Sequence, residues 1–332
     1  VRSLGVAGLV FVALLAITDL VTRATFPRLQ RLDDNFSPAY FEIAIERLRD
    51  APPTTVFLGD SVLWGYKLRP DQAAPALLAG RGVRTVNLAY EGGSPVNTYA
   101  VLTALLSHGV RPKLVVFNVN QKVFNAADSA YATVHPSVAP IALPQFSTAD
   151  SALVTQPKVG DAFEARIDRG IASVWRLYAL RTDVRELVFG DVDAAHALSA
   201  AIASADGSAR RAEAAHAPTP DRFEGTYDLS PLDATNVSVH FLDRIVALLR
   251  TSHVPAVAIL TPTNHTLLHE YIDAPQYTGN LAYVRRMLER GGVRVIDLDR
   301  AFPASAFIDN DHLTAAGNVR LAALLARTLA RT

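Results

Sequence analysis

Short apolar runs alternate with amphipathic stretches along most of this chain. Residues 54–58, 84–88, 113–119, 256–260 and 293–298 carry β-branched, aromatic or leucine side chains and end in Gly, Asn or polar turns. That pattern predicts five short buried strands. Between them the period changes to that of a helix. Ser37-Pro38 opens one, with Tyr40, Phe41, Ala44, Ile45 and Leu48 on a single face, and Pro52-Pro53 closes it. Another follows the turn Gly92-Gly93-Ser94-Pro95 and stops at Gly109. Further helices are expected at 237–250, around 281–288 and at 315–329, the last with Leu321, Leu324, Leu325 and Leu329 as its apolar face. Apolar strands separated by helices form a parallel sheet covered on both faces.

The rhythm breaks twice. Residues 125–235 form too long a stretch for a loop without structure of its own. Pro136, Pro140 and Pro144 make its start irregular, while Ile171, Val174, Trp175, Leu177, Tyr178 and Leu187 predict a helix over 167–188. An Ala-rich helix is expected at 191–205, and 207–225 is polar. The whole reads as a mostly helical insertion at the sheet's C-terminal edge. The second break is at the start. Residues 4–17 are apolar or small without interruption, and Leu20 and Val21 extend the run past Thr18 and Asp19. About 18 residues span roughly 27 Å, slightly short of a comfortable bilayer crossing.

A buried core helix and a cleavable signal peptide compete with an uncleaved anchor for this segment. The absence of a polar face argues against the first, and the lack of a clean cleavage motif after Ala13 and Ala16 against the second. The expected organisation is therefore a transmembrane signal anchor at 1–22, a polar linker at 23–36 and a folded domain at 37–332. Arg23, Arg28 and Arg31 flank the far end, so charge does not set the orientation.

Composition narrows the partners. With 32 basic and 32 acidic residues there is no net field to recruit nucleic acid. A chain that is 50% hydrophobic and 19% charged has the material for a packed core. It contains no cysteine, which excludes disulfides, thiolate metal sites and a Cys nucleophile.

Ligands of open parallel sheets bind at the carboxyl ends of the strands. Ser61 follows the first strand in Gly59-Asp60-Ser61. Asp309-Asn310-Asp311-His312 follows the fifth strand and precedes the last helix. A serine hydroxyl needs an imidazole to take its proton, and the imidazole needs a carboxylate to hold its tautomer. One turn containing Asp309 and His312 supplies both. Asp311 is the rival acid.

Together these motifs resemble the SGNH, or GDSL-type, hydrolase family. Its pattern has a Ser in a Gly-Asp-Ser turn, a Gly after the second strand, an Asn after the third and Asp-x-x-His before the last helix. Here these fall on Ser61, Gly92, Asn120 and Asp309/His312. The match covers residues 54–121 and 237–330 and leaves the insertion unexplained. The resemblance implies a flavodoxin-like three-layer α/β/α sandwich with strand order 2-1-3-4-5. It implies Ser61 as nucleophile, His312 as general base and Asp309 as its orienting acid. The backbone N–H groups of Ser61 and Gly92 and the side-chain amide of Asn120 become the oxyanion hole, with no metal and no cofactor. Three positions depart from the family pattern: Asn118 and Gln121 stand where the third block has Gly and Asp, and Ala89 where the second has an earlier Gly.

The expected reaction is acyl transfer through an acyl-Ser61 intermediate, to water or to a sugar hydroxyl. Anchored relatives imply an acyl-ester or glycan substrate at the bacterial inner membrane, with the catalytic domain in the periplasm, or secretion after cleavage. A non-catalytic carbohydrate-binding or assembly protein on the same scaffold is the alternative. Asp60, Trp64 and Asn264 are candidate substrate contacts. Trp64 and Tyr66 lie close behind the nucleophile, as pocket lining or as packing. His265 and His269 have metal-like spacing without a third ligand.

Overall fold

Five strands form one parallel sheet in the order β2-β1-β3-β4-β5 in a computed structural model that describes residues 2–25, 32, 36, 38–51, 54–125, 128–155, 159–179, 181, 219–223, 225–227 and 230–330. The strands are β1 (Thr55–Leu58), β2 (Thr85–Asn87), β3 (Leu114–Val119), β4 (Ala256–Leu260) and β5 (Arg294–Asp297). Val56 pairs with Val86 on one side and Val115 on the other, and Ala258 with Phe117 and Val295. Every residue of β1 and β3 is buried, as central strands covered on both faces must be, whereas the ends of the edge strand β5 are exposed.

The helices are α1 (Arg2–Thr25), α2 (Pro38–Asp50), α3 (Ser61–Trp64), α4 (Ala74–Ala79), α5 (Pro95–Ser107), α6 (Ala139–Ala142) and α7 (Thr148–Leu153). There follow α8 (Val159–Val174), α9 (Arg176–Ala179), α10 (Val237–Thr251), α11 (His265–Ile272), α12 (Pro275–Arg290) and α13 (Ala315–Leu329). α5 packs on α10 and α10 on α12, while α4 and α13 pack together. This is the expected α/β architecture. Side-chain caps fix the helix starts nearest the carboxyl ends of the strands: Ser94 caps α5, Asn264 caps α11 and Thr314 caps α13.

The insertion is helical where described. α7 is fastened to α10 by Asp150, whose buried carboxylate meets His240 Nε2 at 2.8 Å, the Ser147 hydroxyl at 2.8 Å and the Arg244 guanidinium at 3.0 Å. The continuous helix expected at 167–188 is instead broken at Trp175 into α8 and α9. The Leu177 N–H donates to the Asp19 carboxylate of α1 at 2.7 Å and so takes no part in a helix ladder. The remainder of that prediction, the helix at 191–205 and most of 207–225 lie outside the described residues, as does most of the linker.

α1 rests on α9 through Leu15, Asp19 and Thr22, which share one side, and the other side chains described between residues 6 and 21 are exposed. Among the described residues no helix is long and apolar enough to cross a membrane, so the spanning helix expected at 1–22 is not found there.

Candidate active site

Three strand ends converge on Ser61. β1 runs into Gly59, whose φ of +134° turns the chain sharply; a Cβ there would collide with the Asn118 side chain. Asp60, in extended conformation, then caps α3 by accepting the Val62 N–H at 2.9 Å. Ser61 is the first residue of that helix. The turn after β2 crosses close beside it: a Cβ on Gly93 would run into the Gly59 carbonyl, so the two loops meet backbone to backbone.

The end of β3 holds this turn in place. Asn118 accepts the Asp60 N–H at 3.1 Å and returns a hydrogen bond to the Asp60 carboxylate at 2.7 Å, while also donating to Thr261 Oγ1 at 3.0 Å. The side chain that departs from the family pattern thus clamps the nucleophile's turn from β3 to β4. Leucine or glycine at position 118 has no atoms to do this.

His312 arrives from the far end of the chain. The segment after β5 folds back, with the Ile308 N–H bonded to the His312 carbonyl at 2.7 Å. His312 Nε2 lies 2.7 Å from the Ser61 hydroxyl, and its Nδ1 lies 2.8 and 2.9 Å from the two Asp309 oxygens. Asp309 also accepts the backbone N–H of His312 at 3.0 Å, which locks carboxylate and imidazole in one turn. Asn264 fastens this turn to the β4 loop, donating from its amide to the Asp309 carbonyl at 3.0 Å. The ring of Tyr66 lies against the imidazole with centroids 4.3 Å apart.

Charge sets the proton affinities. Burial alone favours neutral imidazole, but the Asp309 hydrogen bond and the charges of Asp311 and Asp309 outweigh it and raise His312 above its ordinary 6.5. Burial pushes Asp309 up, yet its bonds to His312 and to backbone N–H groups hold it below the usual carboxylate value. The two groups are therefore biased toward an imidazolium–carboxylate pair, the state formed when Ser61 loses its proton.

Behind the triad lies a second buried group. Asp311, 0% exposed, meets the Lys122 ammonium at 2.5 Å, the Asn120 amide at 2.5 Å and His312 Nδ1 at 3.4 Å. Burial would discharge Lys122, but the attraction of Asp311, Tyr227 and Asp60 keeps it protonated. The Asn310 amide supports both acids: turned with nitrogen toward them, it reaches Asp311 at 3.1 Å and Asp309 at 3.3 Å while accepting from the Tyr227 hydroxyl at 3.0 Å.

Neither the Ser61 nor the Gly92 backbone N–H donates to a protein acceptor among the described residues. Both remain available to an oxyanion. Asn120 is different. Its amide nitrogen faces the carboxylates of Asp311 and, at 3.3 Å, Asp60, so it must turn to serve as a third donor.

Solved structures of G-D-S-L lipolytic hydrolases resemble this chain. One from Veillonella parvula DSM 2008 is 10% identical over 82% of this chain and 95% of that chain, with a TM-score of 0.40. A GDSL-like lipase from Bacteroides thetaiotaomicron VPI-5482 is 11% identical, covering 89% and 98%, with a TM-score of 0.42. A family two carbohydrate esterase from Clostridium thermocellum is 11% identical, covering 84% and 64%, with a TM-score of 0.36. A protein-family model matches residues 233–332, the part that carries β4, β5 and the His312 turn. No curated protein matches the sequence.

The remaining candidates are placed differently. Asp60, Trp64 and Asn264 are all buried, with polar atoms engaged inside the protein. Asp60 is the cap described above, the Trp64 indole donates to the Leu32 carbonyl at 2.5 Å, and Asn264 caps α11. Tyr66, not Trp64, borders the imidazole. His265 bonds Asp299 at 2.8 Å while His269 is exposed, so the two do not share a ligand. Asp309, Asp311 and His312 offer ligand atoms within 4.8 Å of one another, the donor set for a metal ion. The Asp309 oxygens accept from His312 Nδ1, and the Asp311 carboxylate accepts from Lys122 and the Asn120 amide, an arrangement suited to proton transfer. Lys122 and Gly93 were not singled out in the sequence; the Gly-Gly pair beside Ser94-Pro95 was the one signal for the latter.

Proposed function

We propose that this protein is a serine-dependent acyl-ester hydrolase or O-acyltransferase. The observation that carries the reading is the unbroken relay from Ser61 Oγ through both nitrogens of His312 to Asp309, each link 2.9 Å or shorter. As Ser61 Oγ bonds to an ester carbonyl carbon, its proton passes to His312 Nε2, while Asp309 holds the Nδ1 proton and balances the imidazolium charge. The carbonyl oxygen becomes an oxyanion facing the free N–H groups of Ser61 and Gly92; such a donor contributes about 3 kcal/mol in comparable enzymes. When the tetrahedral adduct collapses, the alcohol leaves with the proton from Nε2. An incoming water or sugar hydroxyl then gives its proton to Nε2 and attacks the acyl-Ser61 ester, regenerating the serine.

A glycan ester at the cell surface is the substrate class we favour, on the family resemblance. The apolar exposed surface of α1 supports association with a lipid membrane; a catalytic domain on its periplasmic side rests on the family resemblance. The commitment of the Asn120 amide to Asp60 and Asp311 favours the second reading, a carbohydrate-binding protein without turnover. A fluorophosphonate probe separates the two. Hydrolase or transferase chemistry requires labelling of the wild-type chain and none of Ser61→Ala, together with loss of short-chain aryl-ester turnover by at least about a thousandfold. A folded wild-type chain that binds glycan but takes no label sinks the enzymatic reading. Acetate release from an acetylated glycan, with and without an acceptor sugar, then distinguishes hydrolysis from transfer.

A further inference from the structure

The exposed apolar side chains of this protein are concentrated in one region. Apart from Leu153 and Val319, every exposed large apolar residue among the described residues lies on α1 or α8. On α8 these are Phe163, Ile167, Ile171 and Val174, whose spacing places them in one stripe along the helix. The helix turns its small side inward: Ala172 is buried against Ala39 and Ile43 of α2, and Arg169 pairs with Glu42. A surface helix of a water-soluble domain does the reverse. Val174, 74% exposed, leads the stripe directly toward α9, the short helix on which α1 rests. On α1, Leu9, Val10, Phe11 and Val12 are consecutive and all exposed, so apolar surface surrounds the helix along that turn. A protein groove covers one side of a helix, whereas hydrocarbon covers every side. The continuity of the α8 stripe with such a helix favours lipid over a second copy of the chain.

We propose that α8 is a second lipid-contacting element, an interfacial helix whose Phe163–Ile167–Ile171–Val174 stripe enters the apolar edge of the bilayer that α1 contacts. The inference rests on the membrane association proposed above and adds an orientation to it. Two helices joined through α9 fix the tilt of the sheet relative to the lipid, which one helix alone leaves free.

The absence of cysteine makes the test direct, since single cysteines can be placed in the full chain and labelled with an environment-sensitive nitrobenzoxadiazole dye. Ala13→Cys reports on α1, Ile167→Cys on the stripe and Glu164→Cys on the exposed polar side of α8. Each labelled chain is mixed with phosphatidylethanolamine–phosphatidylglycerol vesicles carrying doxyl-lipid quencher, and a circular-dichroism thermal melt checks that it is folded. The expected result is blue-shifted emission at 13 and 167, with quenching at 167 at least about threefold that at 164. If 13 is quenched but 167 behaves like 164, the role of α8 is overturned while membrane association stands. If neither 13 nor 167 meets lipid, both ideas fall. Shielding of 167 without vesicles, at concentrations where sedimentation shows a dimer, assigns the stripe to a second copy and also overturns the proposal.

Discussion

At the scale of single residues, Asp311 has the most specific consequence. His312 accepts the Ser61 proton only while neutral, and its raised proton affinity means that activity is lost as pH falls through a value above 6.5. The groups facing the imidazole are Asp309, Asp311, the Lys122 ammonium behind Asp311, the Ser61 hydroxyl and the Tyr66 ring. Asp311→Asn removes one attraction for imidazolium and leaves the Lys122 charge less balanced. Both changes lower the proton affinity, so the acid limb of the kcat/KM profile moves to lower pH; a limb that stays put or rises contradicts the assignment. A thermal melt of the same variant checks that it is folded. The triad itself was legible in the sequence, because Gly-Asp-Ser and Asp-x-x-His are short linear patterns at strand ends. Asp311 was legible only as a rival acid. Its partner Lys122 was not, because the pair is formed by the fold from opposite ends of the chain. Asn118 registered as a departure from a pattern, and only coordinates show that its side chain performs the clamping.

At the scale of elements, two contacts carry predictions. The β1 and β2 turns touch through Gly59 and Gly93, so Gly93→Ala forces the loops apart. Overpacking of this kind costs about 1–3 kcal/mol and displaces Ser61 relative to the Gly92 N–H. The expected outcome is a lower melting temperature together with a fall in fluorophosphonate labelling rate, whereas normal labelling shows that the approach is not needed. The second contact is α7 on α10. Asp150→Asn breaks the bonds to His240 and Arg244, and since both partners keep some access to water the expected loss is about 1–3 kcal/mol at neutral pH. Despite the opposing effect of burial, those partners hold Asp150 below its ordinary 3.8, so its contribution is present above that value and is lost as pH falls through the lower folded value. Urea midpoints of the two proteins converge below pH 3.8 if this is right. Strand positions and the major helices were readable from periodicity. The break at Trp175 was not, because it depends on Asp19 of α1 capturing the Leu177 N–H. Periodicity along one segment carries no information about a partner elsewhere.

At the scale of the whole molecule, the site requires both ends of the chain. Ser61 stands at the end of β1, an interior strand of the sheet, and His312 reaches it only after β5 has added at the edge and the segment before α13 has folded back. Contacts so distant in sequence form late, since loop closure precedes their reward. After dilution from urea, fluorophosphonate reactivity should therefore recover more slowly than the helical circular-dichroism signal; recovery in step argues for a site assembled early. One further contact has a mechanical meaning. The Trp64 indole, at the end of the helix that begins with Ser61, holds the carbonyl of Leu32, and only six residues of chain separate Leu32 from the end of α1 at Thr25. The seven Cα-to-Cα steps between them extend no further than about 25 Å. The helix that carries Ser61 is thus on a short leash from α1, and whatever Ser61 meets has to come within that reach of the apolar helix.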